Sequence, residues 1–171
     1  MNVPTTASED IETRPCPCGN GLPYRRCCGI YHRGEAPAPT AEALMRSRYT
    51  AFALGGLGDY LVRTWEADAI DPALTAEQLD RQEQQWLRLE ILDAHENGAK
   101  ATVEFKAHCR PFGAGPAVTP QVLHERSRFR RRQGLWRYVD GIIDPPPAAT
   151  ASRNAPCLCG SGKKAKRCCN G

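Results

Sequence analysis

Three features of the sequence predict an α+β fold. Helical periodicity is confined to residues 40–86, two-residue alternation takes over beyond Trp86, and each end carries a cysteine-rich segment too short to build a core. A chain of 171 residues with 41% hydrophobic and 25% charged residues can bury one substantial core. A single globular domain with appendages is therefore expected.

Residues 1–15, "MNVPTTASEDIETRP", have neither a basic start nor an apolar stretch, and read as an unstructured N-terminus without an export signal. No apolar run approaches the roughly 18–20 residues needed to span a bilayer, so no membrane span and a cytoplasmic location are expected. Cytosolic thiols stay reduced, and clustered cysteines in that setting read first as metal ligands.

The clusters form an internal repeat. Residues 16–29 contain Cys16, Cys18, Cys27 and Cys28; residues 157–171 contain Cys157, Cys159, Cys168 and Cys169 with the same spacing. Four thiolates suit a closed tetrahedral structural zinc site, with no position left for substrate or catalytic water. Iron accepts the same ligands. Gly19 and Gly21, like Gly160 and Gly162, supply the positive φ such a reversal needs, and Arg25 and Arg26 or Lys163, Lys164, Lys166 and Arg167 offset the charge of the centre. Two metal ions per chain are expected, one in each knuckle. The competing readings of the ends are cysteine-rich tails without fixed structure, or disulfides. Eight thiolates and two divalent ions would bring the formal charge of +4 to zero, so the global charge is a poor argument for nucleic-acid binding.

Residues 30–39 read as a linker, and residues 40–145 as the domain. Thr40 caps a helix with Glu42 in its first turn, Leu44, Met45, Tyr49, Phe52 and Ala53 on its apolar face, and Gly55-Gly56 as its stop. A short second helix follows with Asp59 as its cap, and residues 74–86 read as a third. A strand from Trp86 turns at Asn97-Gly98 into a second strand, which alternates Ala101, Val103, Phe105, Ala107 and Cys109 against Thr102, Glu104, Lys106 and His108. Residues 121–141 complete a hairpin about Gln133-Gly134. Residues 146–156 read as a second linker.

Cys157–Cys169 resembles the SEC-C metal-binding motif, named for its place at the C-terminus of the SecA translocation ATPase; both copies here end in Cys-Cys where many members have Cys-His. The segments "LMRSRYTAF" (44–52), "DYLVRTW" (59–65), "HERSRFRR" (124–131) and "WRYVDG" (136–141), flanked by the two cysteine motifs, resemble the YchJ family over nearly the whole chain. The resemblance implies an NTF2-like central domain, a cone of helices packed on a strongly curved antiparallel sheet. It brings no established reaction.

Alternation places Leu123, Glu125, Ser127 and Phe129 inward, and His124, Arg126, Arg128 and Arg130 outward. An inward carboxylate needs a partner. Arg46, Arg48, Tyr49 or Tyr138 would supply it as the first helix closes over the sheet, and with Ser127 and Trp136 these residues form the candidate pocket. The bland reading is a buried structural pair. Arg126, Arg128 and Arg130, with the C-terminal Lys163, Lys164, Lys166 and Arg167, form the candidate basic surface for phosphates or, more plainly, a solvated face. His32 and His95 read as solvated, and Cys109 as a core thiol.

Three functions compete. The first is a non-enzymatic interaction module docking on a protein partner through its knuckles, for which the SEC-C resemblance points to the translation or export machinery. The second is an enzyme or small-ligand receptor using a pocket around Glu125, and the third is nucleic-acid or ribosome binding.

Overall fold

The computed structural model describes residues 11–146; the C-terminal cysteines Cys157, Cys159, Cys168 and Cys169 and the basic residues Lys163, Lys164, Lys166 and Arg167 lie outside the described residues. The elements follow the order expected for α+β. A 3-10 turn (Tyr24–Arg26) leads into α1 (Cys28–His32), α2 (Ala41–Leu54), α3 (Gly58–Arg63) and α4 (Ala76–Leu79), followed by β1 (Gln84–Asn97), β2 (Lys100–Pro111), β3 (Gln121–Arg132) and β4 (Leu135–Ile143).

The start and stop of α2 follow from local chemistry. The Thr40 hydroxyl accepts the Ala43 N–H at 3.0 Å, and Gly55, at φ 72°, ends the helix in a conformation that disfavours a side chain. None of its fourteen residues is exposed. The next two helices depart from expectation. Asp59 lies within the first turn of α3, and Leu57 occupies the cap without a side-chain bond. The helix expected over residues 74–86 is the single turn α4, closed by a capping box between Thr75 and Gln78. Pairing of Gln84 with Pro111 and of Trp86 with Cys109 draws the following segment into β1 instead.

The four strands form an antiparallel meander in the order β1-β2-β3-β4. Gly98 (φ 58°) closes the first hairpin, and Gln133 (φ 51°) with Gly134 (φ 80°) closes the last in the doubly left-handed form that suits twisted strands. Alternation in β2 is as expected, with Ala101, Val103, Phe105, Ala107 and Cys109 buried. Register shifts in β1 and between Arg128 and Phe129 mark bulges, which increase local twist. The sheet and α2 enclose the main core, including Leu44, Met45, Leu61, Val103, Phe129 and Trp136.

The chain then doubles back so closely that α3 meets α4 backbone to backbone. A Cβ at Gly58 would overlap the Ala76 carbonyl, and the Gly58 N–H donates to Asp80 Oδ1 at 2.7 Å. Gly58→Ala is therefore expected to destabilise the domain by about 2–4 kcal/mol in urea melts. A change within about 0.5 kcal/mol would show that this packing is loose.

Candidate functional site

The N-terminal hairpin brings Cys16, Cys18, Cys27 and Cys28 together. Gly19 (φ 77°) and Gly21 (φ 76°) permit the reversal, and the Cys16 N–H donates to the Leu22 carbonyl at 2.8 Å. All four Sγ atoms lie within 4.8 Å of one another, with Cys18 and Cys27 at 3.5 Å. Sulfurs on a tetrahedron of 2.3 Å bonds stand roughly 3.8 Å apart, so this donor set could hold one metal ion.

Hydrogen bonds from Cys18 and Cys28 pull the Cys16 thiol far below its ordinary range. The reciprocal bond with Cys16 pushes Cys18 up to about 12 and Cys28 higher. These hydrogen bonds favour the anion at Cys16 and the neutral thiol at Cys18 and Cys28, and a cation among them would favour the thiolates.

The centre is seated on α2. The Thr50 hydroxyl donates to Cys28 Sγ at 3.4 Å and lies 3.7 Å from Cys16 Sγ. Arg46 donates to the Cys18 carbonyl at 2.9 Å while its Nε pairs with Glu42. Arg46, expected at the pocket, therefore faces the cysteine hairpin. His32, expected to be solvated in a linker, is buried: its Nε2 lies 2.9 Å from the Ser47 carbonyl and its Nδ1 2.8 Å from the Tyr24 hydroxyl. A carbonyl only accepts, so Nε2 carries the proton and Nδ1 accepts from Tyr24. Burial also lowers the His32 pKa, favouring the neutral ring. A histidine four residues beyond Cys28 was the available signal; its partner Ser47 lay beyond reach of spacing.

On the other side of α2 is a cavity of about 220 Å³. Arg48, Tyr49, Glu125 and Tyr138 are among the residues that line it. Sequence reasoning missed most of its walls, among them Phe52, Trp65, Trp86, Phe105 and Leu123. Trp65 is brought in where residues 64–66 bond to Tyr138 of β4 through the Tyr138 N–H to Thr64 carbonyl and Glu66 N–H to Tyr138 carbonyl bonds.

The partners of Glu125 come from the sheet, not from the helices. Ser127 Oγ and Tyr138 OH donate to its Oε1 at 2.6 and 3.1 Å. Gly141 lies alongside because a Cβ there would overlap this carboxylate. Ser127 is fully buried behind Glu125, and Trp136 belongs to the core rather than the cavity lining. Arg48 Nη1 donates to the Leu61 carbonyl at 2.7 Å and to Thr64 Oγ1 at 2.6 Å, and its guanidinium lies 4.9 and 4.7 Å from the Trp65 and Tyr138 ring centres. Burial lowers its pKa to about 10, which leaves it charged at neutral pH. Burial and the Glu125 carboxylate raise the Tyr138 pKa, which keeps the phenol a donor.

The basic strand is largely neutralised within the fold. Arg126, expected outward and solvated, is 7% exposed; its Nε donates to Glu104 at 2.8 Å, and His124 Nε2 lies 2.9 Å from the same carboxylate. Arg128 pairs with Asp140, while Arg130 is exposed. Arg126 is covered because Glu104 of β2 and the Pro146 carbonyl both engage its guanidinium.

Arg126→Ala is accordingly expected to destabilise by about 2–4 kcal/mol at pH 7, because Glu104 would lose its buried partner. Burial raises the Glu104 pKa, but the bonds from His124 and Arg126 outweigh it, and the net shift is downward from 4.5. A carboxyl lowered in the folded state contributes stability above its unfolded pKa and loses it as pH falls through the folded value. The difference between wild type and Arg126→Ala in urea melts should therefore shrink between pH 7 and pH values below 4.5; a constant difference would disconnect the two residues.

Comparison with known proteins places these features in context. Residues 40–141 match the family model of the YchJ middle NTF2-like domain, and residues 153–170 match the SEC-C motif. A UPF0225 protein of Vibrio parahaemolyticus is 39% identical over 175 residues, covering 90% of this chain and 97% of that protein. The solution structure of a SEC-C motif containing protein from Rhodopseudomonas palustris is similar with a TM-score of 0.64 and 38% identity, covering 75% of this chain and 98% of that one. The crystal structure of another from Psychrobacter arcticus has a TM-score of 0.63 and 31% identity, covering 94% and 97%. Among the described residues no helix is long and apolar enough to cross a membrane.

Proposed function

The chain belongs to the YchJ-like family, and from that premise we propose that it is a cytoplasmic zinc-binding interaction protein without enzymatic activity, docking on a macromolecular partner through its cysteine knuckles. The convergence of four sulfurs within 4.8 Å carries this reading. Cys16, Cys18, Cys27 and Cys28 would hold one ion, and Cys157, Cys159, Cys168 and Cys169, within the SEC-C match, a second. Such an ion supplies a cross-link, since four thiolates leave no open position for chemistry. Reduced thiols at this density suit the cytoplasm. The SEC-C motif favours a protein partner in the translation or export machinery.

Elemental analysis of reduced protein is expected to give two zinc ions per chain; fewer than about 1.5 metals with the thiols free would count against it. Affinity purification from cells should recover the partner with the intact chain and lose it when the cysteines of both motifs are replaced by serine. Iron in place of zinc would revise the metal alone.

A second reading is favoured by one observation. The cavity beside α2 is mostly apolar but has Glu125 and Arg48 in its wall, the composition of a small-ligand site. Nucleic-acid binding has less support, because Arg126 and Arg128 are engaged by Glu104 and Asp140.

A further inference from the structure

We infer that the cavity between α2 and the sheet binds a small, neutral, planar ring that carries a carbonyl beside an N–H, an amide or lactam edge, with the carbonyl received by Arg48 and the N–H by Glu125. The inference rests on the small-ligand reading and adds the chemical class of ligand.

Two opposite charges border one cavity without pairing with each other. Both hydrogen bonds of Glu125 fall on Oε1, so Oε2 has no protein partner among the described residues, and it is not sealed from solvent. Both hydrogen bonds of Arg48 fall on Nη1, so Nε and Nη2 are likewise without a protein acceptor, on a side chain only 3% exposed. A buried cation and a half-buried anion that do not meet present one set of donors and one acceptor to whatever lies between them.

Charge decides the class. An anion would satisfy Arg48 but face the Glu125 carboxylate, and a cation would satisfy Glu125 but face Arg48. An amide edge offers an acceptor and a donor side by side without adding a charge that must be desolvated. Shape agrees. Phe52, Trp65, Trp86, Phe105 and Tyr138 give the walls ring faces and edges suited to a flat ligand. The volume of about 220 Å³ exceeds that of an engineered 150 Å³ apolar cavity that admits benzene, so one ring with its substituents fits.

The test uses the full metal-loaded chain and four single-ring probes: 2-pyridone, toluene, benzoate and benzylamine. Amide chemical shifts of Arg48, Leu123, Glu125 and Tyr138 are followed during titration. The expected result is that 2-pyridone shifts these amides and binds at least about 10-fold more tightly than each of the other three, a ratio typical of one charged hydrogen bond made or lost. Glu125→Gln should weaken 2-pyridone by about 10-fold with little effect on toluene. Should that variant fail to fold, the ranking of the four probes on the wild type decides alone.

Toluene binding as well as 2-pyridone would overturn the amide assignment and leave an apolar-ligand site. Preference for benzoate or benzylamine would overturn it in favour of a charged ligand. No binding of any probe at millimolar concentration would overturn both the assignment and the small-ligand reading.

Discussion

Chelation of the metal from reduced protein is expected to lower the melting temperature by roughly 10 °C, equivalent to about 3 kcal/mol or more for a chain of this size. The hairpin has almost no core of its own. Its buried residues Cys16, Cys18, Tyr24 and Cys28 form a separate small cluster, and among the described residues the hydrophobic side chains packed against it are Cys27 and Leu54. Without a cation, four thiolates this close would repel one another, and the chain between Gly19 and Gly21 has little else to fix it. Amide protection should be lost first from residues 16–32 and then from the face of α2 that bears Ser47 and Thr50. The β2–β3 pairing should survive, since its register from Lys100–Arg130 to Cys109–Gln121 makes no use of the hairpin. An unchanged melt would mean the metal adds no stability; collapse of the β2–β3 amides with chelation would make the hairpin part of the central domain.

Arg48→Ala is expected to cost about 3–5 kcal/mol. Arg48 is 3% exposed, and its guanidinium bridges the Leu61 carbonyl and the Thr64 hydroxyl and lies against the rings of Trp65 and Tyr138, which meet edge to face. Truncation would leave the Leu61 carbonyl with only the Thr64 hydroxyl at 3.2 Å, strip a cation from the Trp65 and Tyr138 rings, and remove the charge that borders the same cavity as Glu125. Arg48→Lys should recover part of the loss, because an ammonium keeps the charge but neither the planar stacking nor the forked geometry. The exposed Arg130→Ala provides the control and should stay within about 0.5 kcal/mol. Equal effects at positions 48 and 130 in urea melts would show that the buried guanidinium contributes no more than a surface one.

Much of this was legible where the information is local. Thr40 and Gly55 bracket α2, Asn97-Gly98 and Gln133-Gly134 make the turns, and the alternation of β2 gives its inner face, because caps, positive φ and pleating depend on residues a few positions apart. The four N-terminal cysteines converge for the same reason. Tertiary pairing decided the remainder. His32 reads as solvated until Tyr24 and Ser47 close on it, Arg126 reads as surface until β2 supplies Glu104, and residues 80–86 leave the helical pattern only because β2 offers an edge. At the cavity, the alternation of β3 was enough to turn Glu125 inward. Its partners depended on cross-strand neighbours, so Tyr138 was foreseen and the donation from Ser127 was not.

The packing of α2 on two sides, against the cysteine hairpin and against the sheet, constrains how such a chain can diverge. A descendant that discarded the cysteine hairpin would strip the Cys18 carbonyl from Arg46, the two sulfurs from Thr50 and the imidazole from the Ser47 carbonyl, and would bare Leu54 beside them. Viable loss would require several simultaneous replacements on one side of the helix, while the opposite side stays committed to the sheet through Leu44, Met45 and Tyr49. The hairpin is therefore expected to be inherited together with its helix, since removing or grafting it in a single event would leave these groups without partners.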